Sequence, residues 1–220
     1  STGSMKDYWD VIRKYDSCLG GHIWDWMDQG IAATDSKGVR YWKYGGDFEP
    51  EGEGHDGNFL INGVVFPDGT PKPAMYTCKY VYQPIEFAMV DSEALRISLK
   101  NRNFHQSTAD YTYSWEIKDE SKVLQKGTFT APVLAPGESA EVVIPAKKVA
   151  FKAGVAYLLN VYAHEAKDLV YASAGHVNSS EQFVLSEGLP LTVEAKGKAP
   201  VMTDEGAALV IKAGKCTVSV

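Results

Sequence analysis

The chain has 220 residues, 45% of them hydrophobic and 23% charged, and a formal net charge of −6. This is more than one average domain and less than two comfortable ones, with the composition of a globular chain able to bury a core. The acidic balance, without a dense Lys/Arg run, argues against nucleic acid or an anionic membrane as partner, and no run of 18 apolar residues offers a spanning helix. Cys18, Cys78 and Cys216 are odd in number and widely spaced, which indicates neither a disulfide framework nor a zinc site. Buried free thiols are the expectation.

In chain order, residues 4–15 predict a helix. Met5, Tyr8, Trp9 and Ile12 follow helical spacing, and Ser4 with Asp7 forms a cap-plus-acid start. The segment Gly20-Gly21-His22-Ile23-Trp24-Asp25-Trp26-Met27-Asp28-Gln29-Gly30 then concentrates two tryptophans and two carboxylates. Trp24 to Asp28 predicts a short strand, whose alternation puts Trp24, Trp26 and Asp28 on one side and Asp25 and Met27 on the other. An aromatic plate beside a carboxylate suits a sugar: the C–H face of a pyranose lies on the ring and its hydroxyls bond the polar group. The same residues also serve as core tryptophans and loop-capping aspartates. From Ile31 to Pro71 regular periodicity is lost; the acidic run Glu49 to Glu53 predicts a solvated loop edge. Pro71 and Pro73 introduce a second helix from Ala74 to about Tyr82, which Pro84 ends.

Beyond Pro84 the pattern is one of alternating strands. Leu95, Ile97 and Leu99 share a face, as do Tyr111, Tyr113, Trp115 and Ile117, and Tyr157, Leu159, Val161 and Ala163. Further short runs near 85–90, 122–130, 139–144 and 180–186 complete an immunoglobulin-like antiparallel β-sandwich with Trp115 as a core plug. It shows no convincing catalytic cluster. Residues 188–205 read as a linker into a further β unit, with Lys215 to Val220 alternating like a strand. One strand between two helices cannot close a sheet, because its edges stay unpaired. The expected fold class is therefore an α+β piece of something longer: 1–84 the end of a (β/α)8 barrel, 85–190 the sandwich, 191–220 a linker and the start of another β domain.

Ser1-Thr2-Gly3-Ser4, Tyr8-Trp9, Gly20 to Gln29, Tyr44-Gly45-Gly46-Asp47-Phe48, Asn62-Gly63-Val64-Val65-Phe66 and Thr70-Pro71-Lys72-Pro73-Ala74 together resemble the family 2 β-galactosidases. The resemblance runs in order over residues 1–85 and continues more weakly over the sandwich. It implies retaining hydrolysis of terminal, non-reducing β-D-galactosides, in which two glutamates roughly 5–5.5 Å apart act as acid/base and nucleophile. By that resemblance both glutamates precede Ser1, so no catalytic residue is assigned here. Trp24 matches a pocket tryptophan at the end of the eighth barrel strand, followed in many such barrels by a cis peptide. Phe59, through its backbone carbonyl, and Asn62, through its side-chain oxygen, match sodium ligands, and Asn62 also approaches the galactosyl group. His55 stands where the best-known members hold magnesium with an asparagine, so no magnesium site is assigned, although the parent enzyme is expected to use sodium and magnesium. Expected partners are a galactoside, the remaining domains of the parent, and a second copy through the open barrel flank, which should expose apolar surface. Compartment stays open between cytoplasm and periplasm.

Two other readings remain. In one, the sandwich is a non-catalytic carbohydrate-binding or interaction module built on Tyr111, Tyr113, Trp115, Tyr157, Tyr162 and Tyr171. In the other the sugar differs, as in the β-glucuronidases and β-mannosidases of the same family; the Trp-Asp-Trp-Met-Asp-Gln and Tyr-Gly-Gly-Asp-Phe matches favour galactosidase.

Overall fold

The computed structural model describes residues 2–55, 59, 61–152, 154–188, 199–206 and 208–220. The chain is mostly β-sheet, with two α-helices near its start. Helix α1 (Met5–Lys14) follows a single 3-10 turn and has Asp7 in its first turn and Arg13 and Lys14 in its last, matching the helix dipole at both ends. Ser4 holds the N-cap position but makes no side-chain cap bond, contrary to the sequence reading. Met5 and Trp9 pack into an apolar cluster and Ile12 is half-buried, whereas Tyr8 is 70% exposed. Helix α2 (Pro73–Val81) starts on its proline, as expected.

Between the helices, β1 (Ile31–Thr34) and β2 (Arg40–Lys43) form a hairpin where no period was read. Most of its residues are exposed, so no apolar alternation marks it. What shapes it is the turn: Asp35 Oδ1 accepts the Lys37 and Val39 amides at 2.8 Å each, and Gly38 takes a φ of 81°.

Seven strands follow: β3 (Ile85–Asp91), β4 (Arg96–Asn101), β5 (Tyr111–Asp119), β6 (Val123–Phe129), β7 (Ser139–Val143), β8 (Tyr157–Glu165) and β9 (Val177–Ser186). They form two antiparallel sheets, ordered β3-β4-β7 and β6-β5-β8-β9. One apolar cluster takes residues from both, including Ile85, Ile97 and Leu99 from the first and Tyr113, Trp115, Ile117, Leu159 and Val161 from the second. All but Ile85, which opens the short run read near 85–90, are residues the alternation selected. Trp115 is 5% exposed and faces Gly127 across the strand pair; a Cβ there would lie 3.1 Å from the indole, so the glycine makes room for the ring. Tyr111, Tyr113 and Tyr157 are buried with it, which leaves only Tyr162 and Tyr171 of the proposed recognition aromatics reaching the surface. A third sheet, β10 (Val201–Asp204), β11 (Leu209–Ala213) and β12 (Cys216–Ser219), shows that the stretch read as linker already contains a strand; residues 189–198 lie outside the described ones.

Of the three cysteines only Cys78 is buried. Cys18 is exposed in the turn after α1 and Cys216 is exposed on an edge strand, so the expectation of buried thiols fails at both.

The helices and the sheets meet at the end of α2. The Tyr80 hydroxyl donates to Glu181 Oε2 at 2.7 Å, the Ser180 amide to Gln83 Oε1 at 2.9 Å, and the Ile85 amide to Ser179 Oγ at 3.1 Å. On the other side Arg13 Nη2 donates to the Val81 carbonyl at 2.6 Å, and Arg102 pairs with Glu86. Burial, and then its bond to Glu181, push the Tyr80 phenol up to about 12; burial and Glu116 do the same for Tyr162.

Truncating Leu159, fully buried between the sheets, to alanine should lower stability by about 2–5 kcal/mol in urea denaturation. Because Tyr80 and Tyr162 titrate higher folded than unfolded, their contribution is complete below pH about 10 and is lost as pH rises toward 12. Near-ultraviolet titration should show Tyr80 and Tyr162 among the late-ionising phenols, with Tyr82, Tyr111 and Tyr113 also pushed up by burial, and Glu181→Gln should bring Tyr80 down.

Candidate functional site

The segment Trp24 to Asp28 bends at Trp24 and Trp26, holds one bridge residue, Met27, and is not a strand. It pairs along one side only, with residues 62–65, through the bridge Met27–Val65. The Asp25 amide donates to the Asn62 carbonyl at 3.3 Å, the Val64 amide to the Asp25 and Trp26 carbonyls at 3.1 and 3.0 Å, and the Asp28 amide to the Val65 carbonyl at 3.0 Å. With no partner on the other side among the described residues, strict pleating is not imposed and the predicted parity fails. Trp24 and Trp26 are 74% and 61% exposed, while Asp28, expected beside them, is turned inward at 4%. The Trp24–Asp25 peptide is cis, as the family resemblance implies.

Asp28 is the anchor of this region. Its Oδ1 accepts the Gly63 amide at 2.8 Å and the Lys72 ammonium at 2.6 Å. The pair is well shielded, with side-chain exposures of 19% for Lys72 and 2% for Asp28. Gly63 is required by the approach: a Cβ there would stand 2.2 Å from the Asp28 amide nitrogen and 2.4 Å from the Met27 carbonyl carbon. Lys72 arrives from the start of α2, where Pro71 and Pro73 flank it; its own amide bonds the Val64 carbonyl at 3.1 Å and its ammonium lies 5.1 Å from the centre of the Phe66 ring. Two valines, Val64 and Val65, pack beneath with Met5, Cys78 and Val81. The sequence reading missed Lys72 as a partner for Asp28; the signal was a lysine held between two prolines, a position whose backbone is fixed as extended.

Asp25 is engaged separately. Gln29 Nε2 donates to its Oδ2 at 2.8 Å, and its buried Oδ1 has no hydrogen-bond partner among the described residues. The two aspartates therefore bond different partners, and each serves the local architecture. Among the described residues no three His, Cys, Asp or Glu side chains group to hold a metal ion.

The backbone pairing brings Asn62 beside the Trp24–Asp25 peptide. Its carbonyl accepts the Asp25 amide, and its side chain is half-buried. Phe59 is 64% exposed three residues earlier; residues 56–58 and 60 lie outside the described ones. The His55 ring lies against Gly46, so close that a Cβ at Gly46 would meet it at 2.6 Å. Gly46 belongs to the Tyr44–Phe48 turn, in which Asp47 Oδ2 accepts the Tyr44 amide at 3.0 Å.

Two family models match the chain in succession. Residues 1–87 match "Glycosyl hydrolases family 2, TIM barrel domain", and residues 97–186 match "Beta-galactosidase, domain 4". Among curated relatives, beta-galactosidases from Alteromonas mediterranea, Pseudoalteromonas haloplanktis and Vibrio vulnificus are 34%, 37% and 32% identical over 84%, 84% and 96% of this chain. The chain spans only 18–20% of the length of these relatives. Among solved structures, an exo-chitosanase of Amycolatopsis orientalis overlaps 73% of this chain and 16% of its own, at 16% identity with a TM-score of 0.37, too distant to bear on the fold.

Lys72→Ala should leave the Asp28 carboxylate buried without its counter-ion and cost about 3–5 kcal/mol of local stability. Hydrogen exchange at the Val64 and Val65 amides is the readout: both should lose protection, while amides of β5 and β8 keep theirs.

Proposed function

This chain belongs to the family 2 glycosyl hydrolases, and from that premise we propose that it forms part of a retaining β-galactosidase acting on terminal, non-reducing β-D-galactosides. The observation that supports this best is the pairing of Trp24–Asp28 with residues 62–65, which brings the backbone of an exposed tryptophan beside that of Asn62 on a buried ionic anchor. In this reading Trp24 forms one wall of the galactosyl pocket, its ring offered to the apolar face of the sugar while Asn62 bonds a hydroxyl. Residues 1–84 are the end of the (β/α)8 barrel, 85–190 an immunoglobulin-like sandwich that buttresses it, and 191–220 the start of a further β domain.

The proposed chemistry is displacement at the anomeric carbon: a carboxylic acid protonates the departing oxygen, a second carboxylate forms the glycosyl-enzyme bond, and water releases the sugar with retention. Asp25 and Asp28 are unsuited to either task, since one is held by Gln29 and the other neutralised by Lys72. Following the resemblance, which puts both catalytic glutamates ahead of Ser1, we assign them to parts of the enzyme outside these 220 residues. The Phe59 carbonyl and the Asn62 side-chain oxygen suit sodium, a hard cation that takes oxygen donors; when bound, the ion would fix a sugar hydroxyl by charge. Magnesium is given no ligand here, His55 included.

The test has two arms. The 220-residue polypeptide should not cleave a chromogenic β-galactoside, and measurable turnover by a pure preparation would overturn the assignment of the glutamates. In the parent enzyme carrying this segment, Trp24→Ala should lower kcat/KM for the galactoside at least about 100-fold, an effect of about 3 kcal/mol. Unchanged kinetics would remove Trp24 from the pocket.

A further inference from the structure

A cleft of about 360 Å³ opens where the end of α2 meets the edge of the four-stranded sheet. It is lined by Tyr80, Asn160, Tyr162, Ser180, Glu181 and Gln182. The register explains the convergence. Glu116, Asn160 and Gln182 are direct cross-strand neighbours on β5, β8 and β9, and Tyr162 with Ser180 forms the next rung. On β8 the buried Leu159, Val161 and Ala163 alternate with these residues and fill the core, so Asn160 and Tyr162 face outward.

The rung is tied together before any ligand arrives. Gln182 Nε2 donates to Asn160 Oδ1 at 2.7 Å, Asn160 Nδ2 to Glu116 Oε1 at 2.8 Å, and the Tyr162 hydroxyl to the same oxygen at 2.9 Å. At the rim the Tyr80 hydroxyl bonds Glu181 Oε2. The Gln182 carbonyl oxygen takes no part in these bonds, so an acceptor remains in the lining for an incoming hydroxyl, while Glu116 stands behind the cleft and orients Asn160 and Tyr162. Asn160, which is only 7% exposed, fixes the geometry of its neighbours.

The lining chemistry selects the ligand class. Among the described residues no lysine, arginine or histidine lines the cleft, which disfavours phosphates and acidic sugars. Glu181 is the one carboxylate in the lining among the described residues and it is held by the Tyr80 phenol, which disfavours a metal ion. Planar amides, hydroxyls and two phenol rings at one cleft match a molecule with many hydroxyls and an apolar C–H face. We propose that this cleft binds a neutral saccharide, as a site separate from the one around Trp24. The asparagine amide keeps Glu116 ionised below the usual carboxylate range, and both phenols stay protonated well past neutrality, so the donor and acceptor pattern holds across physiological pH.

The test is calorimetric titration of the whole chain with lactose, galactose and glucuronate, on wild type, Gln182→Ala, Asn160→Ala and Trp24→Ala. Gln182 is solvent-exposed, so its truncation spares the fold if Asn160→Ala does not; circular dichroism checks both. The expected result is saturable binding of lactose or galactose that persists in Trp24→Ala, is weakened about tenfold by Gln182→Ala and is absent with glucuronate. The proposal is overturned by lack of saturation with both neutral sugars, by binding that Trp24→Ala abolishes and Gln182→Ala spares, or by equal affinity for glucuronate. Because the Trp24 variant is a separate arm, failure here leaves the galactosyl-pocket reading standing.

Discussion

The first third of the chain depends on one buried carboxylate. Asp28 ties three pieces distant in sequence: its own tryptophan-bearing segment, the Gly63 turn, and Lys72 at the entrance to α2. Removing both charges from water is expensive, and the attraction between them offsets that cost only with close geometry and further hydrogen bonds. Here a 2.6 Å ion pair, a backbone amide and a glycine that admits the approach supply them. The exposed indoles above are positioned by backbone pairing onto this anchor, since their own rings are largely open to solvent.

How legible each region was follows from how many sides of it are satisfied. The strands of the two large sheets have a buried face and an outward face, so Ile97 and Leu99, or Tyr113, Trp115 and Ile117, show a period of two that sequence alone reveals. Trp24 to Asp28 pairs on one side, and its residues obey that contact instead of a pleat; the predicted grouping of Trp24, Trp26 and Asp28 broke at Asp28. The hairpin of β1 and β2 was missed because most of its residues are exposed, although the Asp35-Ser36-Lys37-Gly38 turn carried the signal. Ser4 looked like a cap by residue type, yet its side chain makes no such bond. The ordered matches to galactosidase motifs were local words whose meaning did not require periodicity, and the family models cover the same stretches.

Polar order on the outside of the four-stranded sheet matches the apolar order inside it. Cross-strand neighbours that on one face make a core make on the other a hydrogen-bonded row of Glu116, Asn160 and Gln182. Both rows are products of one register. A slip of one residue would exchange the two faces, so the apolar packing that enforces the register also holds the polar row in line.

The joint between α2 and β9 has a mechanical meaning. Only Tyr82, Gln83 and Pro84 separate the helix from β3, and the Tyr80–Glu181, Gln83–Ser180 and Ser179–Ile85 bonds fasten both to the sheet edge. A short connection clamped at three points behaves as a weld and not as a hinge. Any tilt of the helix is therefore carried straight into the strand edge, making the β-sheets a rigid outrigger for the segment that bears the indoles.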